Sequence, residues 1–133
     1  MNDFDTIVGR IDHFAARDPR KVAVMLGDRS LSYGELAERS IRLARLLLVR
    51  GIAGGERVCL IAGNSVEYLV LYDAVMRCGA SLFPINSDLT VSEIAYILAH
   101  ADPALVVCDE ERRAQLDHAL SEARSSVPRA VLE

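Results

Sequence analysis

The sequence predicts an α/β fold: a short parallel sheet with flanking helices, preceded by a small β-hairpin. Three observations carry that reading. A helix-start signature, a small polar residue followed three positions later by Glu, occurs at Ser32/Glu35, Asn64/Glu67 and Thr90/Glu93. Short apolar runs rich in β-branched residues lie between the helices so opened. The starts of those runs are about two dozen residues apart, room for one strand, one helix and a return, so the strands run parallel with right-handed crossovers.

Taken in order, Val22 to Leu26, then Gly27 and Asp28, then Arg29 to Ser32 reads as a hairpin. The first helix spans Tyr33 to Arg50. Leu36, Ala37, Ser40, Leu43, Ala44, Leu47 and Leu48 recur at helical spacing while Glu35, Glu38, Arg39, Arg42 and Arg45 take the other face. Gly51 follows, where a left-handed residue ends a helix at low steric cost. Gly54 and Gly55 lie between that helix and the next strand, on the wrong side of the sheet for a phosphate loop, and are turn residues. Strands are expected at Val58 to Ala62, Ser81 to Ile85, Ala104 to Cys108 and Arg129 to Leu132, punctuated by Gly55, Gly79 and Pro103. The helix from Ser65 to Cys78 is apolar over most of its circumference and is expected to be central. The helix from Val91 to His100 is opened by Thr90 and Glu93.

The 133 residues, 51% hydrophobic and 26% charged, are those of an ordinary globular chain. One domain of this size buries roughly two thirds of its unfolded surface and needs no disulfide or metal staple. With a formal charge of −4 and no basic stripe, nucleic acid is excluded as a partner. Met1 to Asp12 carries three acids and no long apolar stretch, so no secretory signal is expected. The apolar runs Tyr68 to Tyr72 and Ala74 to Met76 are broken by Asp73 and Arg77, too short for a membrane span. A cytoplasmic protein is expected. Cys59, Cys78 and Cys108 lie in or beside apolar segments without ligand spacing, so they read as buried thiols rather than a metal site. His13, His100 and His118 stand singly on helical patterns.

In a parallel α/β sheet ligands bind beyond the carboxyl ends of the strands, so Gly63, Asn64 and Ser65 are where a phosphate would meet a helix N-terminus. The turn has one glycine where a dinucleotide fingerprint wants three, and no Lys follows it, so a capped helix start is the favoured reading. No Gly-x-Ser-x-Gly elbow surrounds Ser65, Ser81 or Ser87. A response-regulator reading fails because no acidic pair follows Val58 to Ala62 and the only Lys is Lys21, although Asp109 does follow a strand. The acidic pairs Asp88/Glu93 and Glu110/Glu111 have helix-start roles favoured by the dipole.

From Ile11 to Cys108 the order of segments resembles the N-terminal part of the adenylate-forming (AMP-binding) superfamily. The likeness begins at His13-Phe14-Ala15-Ala16-Arg17-Asp18-Pro19, similar to the helix ahead of that family's first hairpin. Leu31-Ser32-Tyr33-Gly34-Glu35-Leu36 resembles its first core motif, Leu-Thr-Tyr-x-Glu-Leu. Gly51, the entry Gly55-Glu56-Arg57-Val58 and Asn64-Ser65-Val66-Glu67-Tyr68 come next. Arg77 to Asn86 resembles the second core motif, and Leu89, Thr90, Glu93, Ile94, Tyr96, Ile97 and Leu98 the helix after it. Within the second motif, Phe83-Pro84-Ile85-Asn86 is more similar to acyl-CoA synthetases than to peptide-synthetase domains, which usually read Tyr-Val-Pro-Leu-Asp there. Ser87 stands where a Pro commonly follows.

The resemblance implies that residues 1–133 are an incomplete N-terminal subdomain of a ligase that activates a carboxylic acid with ATP and Mg and transfers the acyl group to CoA. The family's phosphate loop, adenine motif, ribose-binding Asp and C-terminal catalytic Lys all come later than these motifs, so no catalytic, cofactor-binding or metal-ligating residue is assigned. Asn86 to Leu89, the exit of a strand, is the place expected nearest to substrate. A free-standing, non-catalytic scaffold or binding module is the alternative of another class, and a peptide-synthetase adenylation fragment the alternative within the family. The chain alone is expected to be inactive and to form a homo-oligomer, through apolar surface left on the Ser65 to Cys78 helix or through open sheet edges.

Overall fold

The structure, a computed structural model, describes residues 5–133. Its described residues form two compact units, one running up to Gly51 and including Asn64–Gly79, the other formed by Ile52–Gly63 and Ala80–Glu133.

The first unit begins with α1 (Ile7–Arg17), capped by Thr6, whose hydroxyl accepts from Gly9 N at 2.9 Å. Strands β1 (Val22–Leu26) and β2 (Arg29–Ser32) pair antiparallel as expected, with Leu26 opposite Arg29. Gly27, at φ 61, takes the first central position of the two-residue turn, the place where such hairpins favour glycine. Ser32 ends β2 and caps α2 (Tyr33–Val49). Its hydroxyl accepts from Glu35 N at 3.2 Å and the Glu35 carboxylate accepts from Ser32 N at 2.8 Å, the reciprocal box expected from the spacing. Gly34 N donates to Pro19 O at 3.0 Å, and a Cβ there would lie 3.0 Å from both Cβ and O of Pro19. The motif therefore needs glycine at this position because the chain before the hairpin crosses it.

Helix α3 (Val66–Arg77) departs from expectation twice. Its cap is Ser65, whose hydroxyl accepts from Tyr68 N at 3.0 Å, not Asn64. That shift puts Glu67 one position too early to reach back to the cap, and it turns instead to Arg29, at 2.5 and 3.0 Å, and Arg39, at 3.5 Å. Nor does α3 retain an apolar patch. Val66, Val70, Leu71, Ala74 and Val75 are all buried, and Leu69 is its one exposed large side chain. Within the unit α2 and both hairpin strands pack along it, and Leu31, Leu36, Val66 and Val70 form the shared core. Exposed apolar side chains gather elsewhere, on the hairpin (Val22, Met25, Leu26) and at the end of α2 (Leu46, Leu48, Val49).

A buried polar chain ties the helices of this unit together. Ser40 on α2 donates to Asp73 Oδ2 on α3 at 2.5 Å, Arg77 Nε lies 3.0 Å from the same oxygen, and the two Arg77 Nη atoms grip Asp12 of α1 at 2.6 and 3.0 Å. Burial works against the Arg77 charge, but its hydrogen bonds to Asp12 and Asp73 and their negative charges outweigh it and hold the pKa above the ordinary value.

The second unit is a parallel sheet in the order β4-β3-β5-β6, from β3 (Arg57–Ile61), β4 (Ser81–Pro84), β5 (Leu105–Cys108) and β6 (Arg129–Val131). Val58 pairs with Leu82 on one side and Leu105 on the other, and Val106 pairs with Arg129. Alternation sends Cys59 and Ile61 of β3, with Val106 and Cys108 of β5, to one face. There they pack with Ile94, Ala95 and Leu98 of α4 (Val91–Ala101) and Leu116, Ala119 and Leu120 of α5 (Arg113–Glu122). Thr90 and Glu93 form the second reciprocal capping box, opening α4. Val58, Leu60, Leu105 and Val107, on the opposite face, are buried as well, which explains why these strands read as continuous apolar runs.

Candidate functional site

The connections leaving β3 and β5 run to opposite sides of the sheet, β3 toward β4 and β5 toward β6. In open parallel sheets ligands bind in the crevice at such a reversal, beyond the carboxyl ends of the strands. Here that place is held by Gly63, after β3, and Asp109, after β5. Asp109 Oδ2 accepts from Gly63 N at 2.7 Å and from Arg112 Nη1 at 2.6 Å, while Oδ1 accepts from Arg112 N at 3.0 Å, capping the 3₁₀ turn Glu110–Arg112. A Cβ on Gly63 would sit 3.3 Å from Arg112 Nη1, so glycine lets the guanidinium close over the turn.

The amide of Gly63 that a phosphate would need already faces a carboxylate of the chain itself. Ser65 is spent on its helix cap. Among the described residues no group of three or more His, Cys, Asp and Glu is placed to hold a metal ion. At this turn the Gly63 amide and the Ser65 hydroxyl thus both have partners within the chain. Gly63 and Asp109 were not legible as a pair, because only the adjacency of β3 and β5 brings them together.

At the exit of β4, Asn86 is exposed and its Oδ1 accepts from Asp88 N at 3.0 Å, a local turn. Gln115 of α5, which sequence reasoning missed, holds this exit from behind: its Nε2 donates to Ser87 O at 2.9 Å and Leu89 O at 3.1 Å. Beside it Leu89, Ser92, Glu93, Tyr96 and Ile97 line an open hollow of about 390 Å³. The acidic pairs have local partners: Glu93 belongs to the α4 cap and Glu110 faces Arg113.

Cys59, Cys78 and Cys108 are free and buried; burial pushes the Cys59 thiol up to about 12 and raises the other two. His100 stacks on Tyr96, with ring centroids 6.1 Å apart. Among the described residues no helix is long and apolar enough to cross a membrane.

Comparison with known proteins agrees with this architecture. A family profile described as AMP-binding enzyme matches residues 11–132. Tyrocidine synthase 3 of Brevibacillus parabrevis is 39% identical over 102 residues, 77% of this chain and 2% of that protein. Acyl-CoA ligase SID4 of Ajellomyces capsulatus is 38% identical over 110 residues, 82% of this chain and 19% of the ligase. The crystal structure of ATP-bound MatB from Rhodopseudomonas palustris superposes with a TM-score of 0.78 at 33% identity, covering 97% of this chain and 25% of that one. The chain thus spans a quarter or less of the length of each of these proteins. It belongs to the AMP-binding, adenylate-forming enzyme family and matches the N-terminal part of that fold.

Proposed function

We propose that this chain is a scaffold segment of an ATP-dependent acid–CoA ligase, which joins a carboxylate to AMP and passes the acyl group to the thiol of CoA in the cytoplasm. The observation that carries the scaffold reading is the occupied crevice: Asp109 and Arg112 close the carboxyl ends of β3 and β5 over Gly63. The groups that hold nucleotide, magnesium and CoA would then come from other parts of the enzyme. Phe83-Pro84-Ile85-Asn86 at the end of β4 and the likeness to an acyl-CoA ligase support CoA as acceptor. A peptide-synthetase adenylation domain is the second reading, favoured by the likeness to tyrocidine synthase 3.

Two measurements test this. Calorimetric titration of the 133-residue chain with Mg-ATP is expected to show no saturable submillimolar binding. Such binding would overturn the scaffold reading and return attention to Gly63, Asn64 and Ser65. Assay of the protein as it occurs in its source, with ATP and panels of carboxylic and amino acids, separates the acceptors. CoA-thioester formation supports the ligase, whereas amino-acid-dependent pyrophosphate exchange without a CoA product supports the peptide synthetase.

A further inference from the structure

The hairpin is a two-stranded sheet, so among the described residues the outer edge of β1 has no strand beside it. Leu26 and Arg29 close a two-residue turn and form a hydrogen-bonded pair, which turns the N–H and C=O of Met25, one step back, away from β2. Edge strands in soluble proteins are usually guarded by Lys, Pro or an inward charge. The β1 sequence Val22-Ala23-Val24-Met25-Leu26 has none of these. Its one blunting feature is the register shift between Val22 and Val24. The side chains along this edge are open too, Met25 at 69%, Val22 at 49% and Leu26 at 45% exposure. Next to them Val24, Met25 and Leu26 join Tyr68 and Leu69 of α3 in lining a cleft of about 340 Å³.

Charge favours one occupant. Arg20 and Lys21 precede β1, and Asp28 follows it at the tip of the turn. Arg29, the next cation along, is paired with Glu67 at 2.5 and 3.0 Å, and Glu67 also lies 3.5 Å from Arg39; Asp28 is the acid at the tip of the turn itself. A second β1 laid antiparallel, with the twofold axis near Val24, sets each basic end beside the other copy's Asp28 and apolar side chains against each other. We infer that the outer edge of β1 is a self-association surface, on which a second copy of this chain adds its own β1 antiparallel to make a continuous four-stranded sheet. The contact is isologous, so it closes as a dimer. Built on one short strand, it buries less than the roughly 1,200 Å² of a standard interface and belongs with weak, reversible associations.

Sedimentation velocity of the chain over a hundredfold concentration range is the test. The weight-average mass is expected to rise toward twice that of the monomer. Met25→Lys, which places a cation among the apolar side chains of the edge, is expected to raise the dissociation constant by about tenfold or more. Arg20→Asp and Asp28→Arg should each weaken the dimer, and the double exchange should restore it, which loss of folding would not do. A monomer at every concentration overturns the inference. So does a dimer indifferent to Met25→Lys, or single exchanges that the double does not rescue, since either would put the contact on another surface or assign the hairpin edge to other segments of the enzyme. Circular dichroism of each variant keeps misfolding apart from lost association.

Discussion

Replacing Arg77 with Met tests the buried chain Ser40–Asp73–Arg77–Asp12. The methionine keeps most of the apolar stem and removes the charge. Asp73, with a side chain 2% exposed, would then keep only the Ser40 hydroxyl at 2.5 Å, and its Oδ1 already has no partner. Removing one partner of a buried ion pair costs about 3–5 kcal/mol, because the other charge stays desolvated. The retained Ser40 bond places the expected loss near the bottom of that range, about 3 kcal/mol. The second grip of Arg77, on Asp12, is 48% exposed on the carboxylate side, so Asp12→Asn should cost under about 1 kcal/mol. Denaturant melts of the two single variants and of Arg77→Met/Asp73→Leu form the assay, and the double variant should recover much of the loss by removing the stranded carboxylate. If Arg77→Met costs no more than Asp12→Asn, or if the double variant is less stable than Arg77→Met alone, the reasoning fails.

Four further outcomes follow from local geometry. Ser32→Ala should destabilise the fold by about 1 kcal/mol, and Glu35→Ala should add less in that background than in the native chain, as a double-mutant cycle by denaturant melting would show. Gly34→Ala should lower the melting temperature, because its Cβ would press on Pro19 backbone at 3.0 Å. The hydrogen bond from Arg29, first, and the charges of Arg29 and Arg39 hold the Glu67 carboxyl below its ordinary 4.5. A lowered folded value means a contribution complete above pH 4.5 and lost as pH falls through the folded value, so Glu67→Gln should flatten the acid limb of a stability–pH profile. Thiol titration at pH 8 should find Cys59, Cys78 and Cys108 unreactive until denaturant is added, since all three are buried and their thiols are shifted up.

Much of the architecture was legible because its signals are short in range. The capping boxes at Ser32/Glu35 and Thr90/Glu93 join residues three apart, and the Gly27-Asp28 turn joins neighbouring strands; in each case the backbone itself brings the partners together. The Asn64/Glu67 pairing failed for a reason of the same range. Two adjacent residues could each cap α3, and a competing cation, Arg29, lay 38 positions away.

The exposed apolar surface was misplaced because periodicity counts how many faces of a helix are apolar, not what packs on them. Helix α3 has α2 and the hairpin along it, while among the described residues no strand lies beside the hairpin's own outer edge. The candidate site shows the same limit: Gly63 and Asp109 are 46 residues apart and meet only because β5 pairs with β3.

By itself, then, the sequence determined the hairpin, the helices α2 to α4 and the four parallel strands to within a residue or so, since these rest on periodicity and on contacts within a turn or two of chain; the order of its motifs carried the resemblance to the family, and α5 had no expected bounds. Tertiary structure alone decided the strand order β4-β3-β5-β6, the closing of the crevice by Asp109 and Arg112, the burial of Asp73 with Ser40, and the edge of β1 that no strand covers among the described residues. Each of these depends on which distant segments become neighbours, and chain connectivity leaves that choice to the packing of the whole.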